Sequence, residues 1–303
     1  MIAQPVQPIE HAASGTFHVE GYPDFLELAF HSLWISNEGI AAVQRMDLET
    51  GRILAQVPVN APCGGMGAGY GSLWVASWED GAVLGIDARS NQVTARVPIK
   101  VADPECSIAA GEGGVWVLTD DEGILSRVDP RSHAVVARIP VAPDSYAAVA
   151  GYGAVWITNT GPVGSTEPGS VQRIDPKTNA VEATIPVHGQ PRFLAAGEGA
   201  VWVLNQTDGT VSRIDPRTNE VVATIEAGVP GSGGDIAAGE GAVWVRATKT
   251  LLSVIDPRTN RVVERYGPPQ GSGAVRVGDG SVWVSAHDVN KIWRLGRRRR
   301  EES

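Results

Sequence analysis

Apolar positions in this chain fall in short runs rich in β-branched and aromatic residues, set apart by turn residues, and the arrangement recurs. The stretch GEGAVWVLNQTDGTVSRIDPRTNEVVATI, Gly197 to Ile225, shows the unit. A short run, FLAAGEG, ends in a Gly-acid-Gly turn. AVWVLN is apolar at successive positions, TVSRID alternates, and EVVATI is β-branched again. None carries the ten-residue stripe at a 3.6-residue period that marks a helix. Between the last two runs lies DPRTN. Its Asp, its Pro at the second position and its Asn, able to turn left-handed, spell a tight β-turn. The pattern predicts four short antiparallel strands per unit, A to D.

The unit recurs along the chain. Trp34, Trp74, Trp116, Trp156, Trp202, Trp244 and Trp283 share one context, a small or apolar residue before and a β-branched one after, at spacings of 39 to 46 residues. That period suits helical repeats or four-stranded propeller blades, and the strand pattern selects the second. Strand A reads SIAAG, YAAVAG, FLAAG and DIAAG in units three to six, small residues that suit strands converging on an axis. Strand B, apolar without alternation, suits burial on both faces between neighbouring blades. The seventh unit runs through NKIWRLG and lacks a fourth strand. Thr16 to Val19 is expected to supply it, pairing with Lys291 to Leu295 and closing the ring. The expected architecture is an all-β, seven-bladed propeller over residues 16–295, with an N-terminal extension over 1–15 and a charged tail over 296–303. The arginine that recurs on strand C (Arg45, Arg127, Arg173, Arg213, Arg294) points to a structural role between blades.

Composition narrows the function classes. Lys plus Arg number 25 against 34 Asp plus Glu, a net charge of −9, which argues against nucleic-acid partners, since those need a basic surface. The basic run Arg297 to Arg300 reads as a solvated tail. No stretch approaches the roughly 20 apolar residues of a membrane span. The start, MIAQPVQPIEHAASG, has no apolar signal core, as expected of a cytosolic chain or a mature form. Cys63 and Cys106 fall at nearly the same place in adjacent units, and their pairing stays open, because disulfide geometry is demanding.

The A–B and C–D turns repeat closely and share one face. The B–C and D–A loops differ from unit to unit and share the other, so a site is expected there, near the axis. That face collects Asp24, Glu38, Trp78, Glu105, Tyr146, Arg192 and Asp235 as candidate ligand-binding residues. Trp78 lies outside the repeat pattern and is a candidate stacking surface. Arg192 calls for an anionic partner. Asp24, Glu105, Asp144 and Asp235 are a candidate oxygen-ligand set, which would favour Mg²⁺ or Ca²⁺. His188 and His287 are candidate general bases, against the plain reading of two exposed loop histidines. Asp120, Asp121 and the long loop NTGPVGSTEPGS of unit four add to the same face. No nucleophile elbow, phosphate-binding loop, zinc spacing or calcium loop occurs.

GTVSRIDPRTNEVVATI and VWVLN together resemble the YVTN-type propeller repeat, with Trp where that repeat often has Tyr. Relatives of that kind are commonly exported, which implies an extracytoplasmic place. VWVSAHDVNKIWRL is similar to a strand pair of virginiamycin B lyase-like propellers, with Ala286 where that motif carries Glu. Those enzymes open a cyclic ester by elimination, using Mg²⁺, carboxylates and a histidine near the axis. Two functions are therefore expected. The first is a monomeric binding or scaffold propeller that holds a small molecule, peptide or protein. The alternative is a divalent-metal-dependent lyase or hydrolase.

Overall fold

The computed structural model describes residues 4–101, 105–120, 123–161, 168–229, 231 and 233–296, with the main chain alone at Asp120. Asp121, residues 162–167 of the long loop of unit four and the arginine tail lie outside the described residues.

Seven antiparallel sheets of the expected A–B–C–D order form the molecule. Blade one runs Pro23–Ala29, Ser32–Asn37, Ala42–Met46 and Ile53–Pro58. Blade five, the source of the repeat motif, runs Pro191–Gly197, Ala200–Asn205, Thr210–Asp215 and Glu220–Glu226. The A strands of neighbouring blades pack against one another all the way round, blade seven meeting blade one. Blade seven (Val275–Gly278, Ser281–Ala286, Lys291–Gly296) takes its outer strand from Ala13–His18, with Thr16 opposite Trp293 and Phe17 opposite Ile292. Val6–Pro8 adds a parallel fifth strand to blade six, and Ile9 between the two pairings is fully buried.

The seven tryptophans are at most 2% exposed. In blades one to six the indole N–H donates to the strand-A carbonyl five residues earlier, as from Trp116 to Gly111 (2.9 Å) and from Trp202 to Gly197 (3.0 Å). The strand-C arginine stacks on the same ring in five blades; Arg213 lies 5.1 Å from the Trp202 centroid. Arg213 then reaches the next blade's C–D turn, donating to Pro257 O and, at 2.9 Å, to Asn260 Oδ1. Arg45, Arg127 and Arg173 repeat this latch on Asn91, Asn179 and Asn219.

The two blades without the arginine explain themselves by the same contact. Blade six has Val254, and blade seven, closed by the N-terminal strand, has no C–D turn to receive a latch. Blade two has Gly85, and in the next blade's turn His133 replaces Asn and meets the Trp74 ring edge-on at 6.1 Å. Within each turn the Asp carboxylate accepts backbone N–H bonds, for Asp129 from Arg131 and Ser132 at 2.8 Å each. Those bonds are strongest to the ionised form, so these carboxyls sit below their usual range, Asp215 at about 2, where Arg217 adds its own hydrogen bond.

Candidate functional site

On the face of the B–C and D–A loops, strand A of each blade begins at the axis. Asp24, Glu105, Tyr146, Arg192 and Asp235 come from blades one, three, four, five and six, each at or just before the start of its strand A. A cavity of about 260 Å³ opens there, lined by Asp24, Phe25, Glu38, Pro62, Cys63, Trp78 and Glu105 among others. Below it, an axial channel of about 300 Å³ runs between the A strands. Phe25 and Glu105 line both. Phe25, Phe193 and Tyr146 form a chain of ring contacts where the two spaces adjoin (6.5 and 5.7 Å between centroids).

The channel holds a triad of charges, two carboxylates on one guanidinium. Asp235, almost fully buried, accepts from Ile236 N (2.8 Å), Val275 N (3.1 Å) and Arg276. Arg276 also donates to Glu27, 3.3 Å away. Burial nonetheless holds the carboxyls of Asp235 and Glu27 above their usual range, with Arg276 pulling both back down. Sequence reading missed Glu27 and Arg276. Both stand seven residues before the strand-B Trp of their blade, where the other blades carry Gly, Ala or Val. A charge at that step of a small-residue strand is the signal that finds them.

The outer cavity is different. Among the described residues Asp24 makes no side-chain hydrogen bond, and its one ion-pair contact there is His287 Nε2 at 4.0 Å. Burial, then the charges of Glu105, Glu38 and Asp235, push its carboxyl up to about 7. Burial also raises Glu105, although Tyr146 donates its hydroxyl to it (2.9 Å) and Arg192 lies near. Arg192 itself stacks on the Tyr146 ring at 5.1 Å. The remaining guanidinium nearby is Arg246, fully buried, with its donors spent on the carbonyls of Ser285 (3.1 Å), Ala247 and Gly271. Burial lowers its pKa to about 10. It too was missed. It stands two residues after Trp244, where the other blades have Ser, Ala, Leu or Thr.

His287 is nine-tenths buried, stacked on Tyr22 (4.1 Å between centroids) and 3.2 Å from the Tyr22 hydroxyl through Nε2. Its Nδ1 lies 2.5 Å from Asp288 in an ion-pair contact without hydrogen-bond alignment. Burial, helped by Arg246 and opposed by Asp288, lowers its pKa, so the ring tends to neutrality. His188 is elsewhere: half exposed at the end of blade four's outer strand, 3.2 Å from Asp208, with no contact to the axial acids.

Trp78 is 42% exposed on the cavity wall, its main chain pinned to Ala61 O (3.1 Å). Beside it Asp80 is spent on Ser77, Asn60 and Arg96. Asp144 is exposed in a left-handed turn. The structure thus gathers Asp24, Glu38, Glu105 and Trp78, places Tyr146 and Arg192 against Glu105, sets Asp235 below with its own guanidinium, and leaves Asp144 and His188 apart. Among the described residues no three His, Cys, Asp or Glu side chains converge closely enough to hold a metal ion. The four acids expected as an Mg²⁺ or Ca²⁺ set do not fit one. Among the described residues no helix is long and apolar enough to cross a membrane.

A family model described as a repeat of unknown function, DUF6923, matches residues 35–187. No curated protein matches the sequence. The structure is similar to a streptogramin B lyase, at 17% identity and a TM-score of 0.75 over 94% of this chain and 97% of that one. It is also similar to a catalytically inactive histidine-to-alanine variant of virginiamycin B lyase from Staphylococcus aureus with quinupristin (12%, 0.76, 93% and 98%). U3-55K matches as well (11%, 0.74, 94% and 99%). At such identities the likeness is one of fold, which hosts unrelated functions.

Proposed function

Since the chain belongs to the DUF6923 repeat family, a repeat of unknown function, its activity has to be read from its own site, and we propose that the outer cavity is a binding site for a small molecule or peptide side chain that carries a cationic group. One observation carries this reading. Asp24, Glu38 and Glu105 share a cavity wall; Arg192 acts on Glu105, while the guanidinium that acts on Asp24, Arg246, is committed to backbone carbonyls. Like charges raise one another's proton affinity until a cation intervenes, and the exposed Trp78 in the same lining supplies an indole on which that cation would stack. The disulfide described below supports an extracytoplasmic location, since such bonds are rare in the cytosol.

Calorimetric titration with benzamidine, an aromatic amidinium, tests the proposal. Binding should strengthen from pH 6 to pH 8, because Asp24 must give up its proton, and its heat should vary with the buffer's ionisation enthalpy. Glu105→Gln should weaken it about tenfold, the size of one charge-assisted hydrogen bond. Mg²⁺ and Ca²⁺ belong in the same titration. Heat with either ion and none with benzamidine would replace the organic cation by a metal.

A second reading rests on His287. A buried, largely neutral imidazole beside Tyr22 and Asp24 has the form of a general base, in a fold shared with streptogramin B lyase. Incubation with quinupristin, followed by mass spectrometry for a ring-opened product that His287→Ala fails to make, decides this reading.

A further inference from the structure

Cys63 and Cys106 are joined by a disulfide that ties the strand-A entry of blade two to that of blade three. Its place is the wall of the outer cavity: Cys63 lines the cavity, and Glu105, also in the lining, immediately precedes Cys106. The two chain segments press together at this point. Gly65 N donates to Glu105 O at 2.8 Å. A Cβ on Gly64 would fall 1.5 Å from the same carbonyl, so only glycine admits this approach. Gly64 and Cys106 both take the left-handed conformation, φ +51° and +49°. Glycine does so freely, whereas Cys106 is held there against the preference of an L residue. The backbone turn at Cys106 in turn aims the Glu105 carboxylate at the Tyr146 hydroxyl and into the cavity.

We propose that the Cys63–Cys106 disulfide is a redox gate on this cavity: oxidised, it holds Glu105 in the wall, and reduced, it lets the turn relax and takes Glu105 out of the site. This regulation rests on the cavity being a binding site. The access is one-sided. Cys106 is fully buried, while Cys63 is partly open on the cavity side. A thiolate entering through the cavity mouth therefore attacks Cys63 Sγ. The S–S bond breaks, Cys106 leaves as a thiolate and takes up a proton, and a second thiol of the reductant resolves the mixed disulfide. Two protein thiols form while one dithiol is oxidised to its disulfide. A ligand in the cavity covers the attacked sulfur, so binding and reduction oppose each other, and linkage makes the opposition reciprocal.

The test compares oxidised protein with protein reduced by dithiothreitol, using hydrogen exchange and benzamidine calorimetry on both. The Gly65 amide should exchange at least tenfold faster after reduction, while strand-B amides of blade five keep their protection and show that the ring stays folded. Benzamidine affinity should fall about tenfold and return on reoxidation with oxidised glutathione. Saturating benzamidine should slow the appearance of thiols severalfold. A Cys63→Ser, Cys106→Ser double variant should behave as the reduced protein does, without reductant. Unchanged exchange at Gly65 overturns the gate whatever benzamidine does. Faster exchange with unchanged affinity also overturns it, reducing the bond to a loop staple. If the oxidised protein fails to bind benzamidine, the binding proposal falls by itself. The Gly65 exchange, which needs no ligand, then decides whether the bridge controls the cavity wall.

Discussion

Two groups of carboxylates lie one above the other on the propeller axis, and they are treated in opposite ways. In the channel, Asp235 and Glu27 share Arg276, which joins blades six, seven and one through charge-assisted hydrogen bonds. In the outer cavity, Asp24 makes no side-chain hydrogen bond among the described residues, Glu105 has a phenol and a nearby guanidinium, and Arg246 contributes its field while its donors serve backbone carbonyls. A buried charge without its partner is costly. The channel group satisfies that requirement internally and acts as a structural clasp. The cavity group leaves it in part to something outside the chain. The difference separates a cluster that holds the fold together from one the fold has to tolerate.

The sharpest way to break this comparison is to remove the cation from the clasp. Arg276→Met leaves two buried carboxylates without their guanidinium and should cost about 3–5 kcal/mol, read as a lower urea midpoint at pH 7. Adding Asp235→Asn and Glu27→Gln should return much of the loss, because the uncompensated charge goes with them. If Arg276→Met unfolds at the wild-type urea concentration, the channel group is no clasp and the contrast with the cavity disappears.

Substitution in the cavity should act with the opposite sign. Burial and the neighbouring carboxylates push the Asp24 carboxyl up to about 7 in the folded protein, from an ordinary 3.8. Its folded pKa lies above the unfolded one, so between about pH 4 and pH 7 the folded state holds a proton that the unfolded state has lost. Stability therefore falls as pH rises through that window, and the penalty is complete above it. Asp24→Asn should remove this slope, matching wild type near pH 4 and exceeding it at pH 8 by about 1–2 kcal/mol. Urea unfolding of both proteins across pH 4–8 measures it. An Asn variant less stable than wild type at pH 8 would give Asp24 a structural partner and end the distinction.

Much of the fold was readable because repetition makes each unit a control for the others. The tryptophan spacing, the Asp-Pro turns and the missing fourth strand of unit seven each map onto one physical need. The same repetition could have exposed Glu27, Arg276 and Arg246, since each breaks the small or apolar identity of its position. Reading loops for acids, without reading strands for exceptions, passed over all three. Other features lay beyond the reach of sequence. Asp24 and Asp144 are both acids beside the start of a strand A, yet one enters the cavity and the other turns out to solvent in a left-handed turn. The disulfide depends on the close passage of two segments that a sequence places 43 residues apart. His188 was grouped with His287 by face, whereas radial distance from the axis, which alternation along a strand does not encode, sets them apart.

The smallest expected effect on stability belongs to Trp78, and it sets the cavity apart from the packed blades. Trp202 is fully buried, bonded through its indole N–H and covered by Arg213. Trp202→Ala should cost about 3–5 kcal/mol, as emptying an aromatic core site does. Trp78 has the same side chain but stands 42% exposed on a turn whose main chain already bonds to Ala61 and Gly81. Its removal empties no core space, and the loss should be within about 0.5 kcal/mol, as for other surface positions. Its indole lines the cavity beside the carboxylates, and in the proposed site the cation stacks on it. Trp78→Ala should therefore weaken benzamidine binding about tenfold, in line with a partly desolvated cation–π contact, and leave the urea midpoint nearly unmoved. Trp78→Phe should recover part of the affinity and Trp78→Leu none of it, because leucine restores apolar area without a ring face. Equal loss of binding in the Phe and Leu variants would mean that Trp78 only fills the wall, and the cation would then be read by the carboxylates alone.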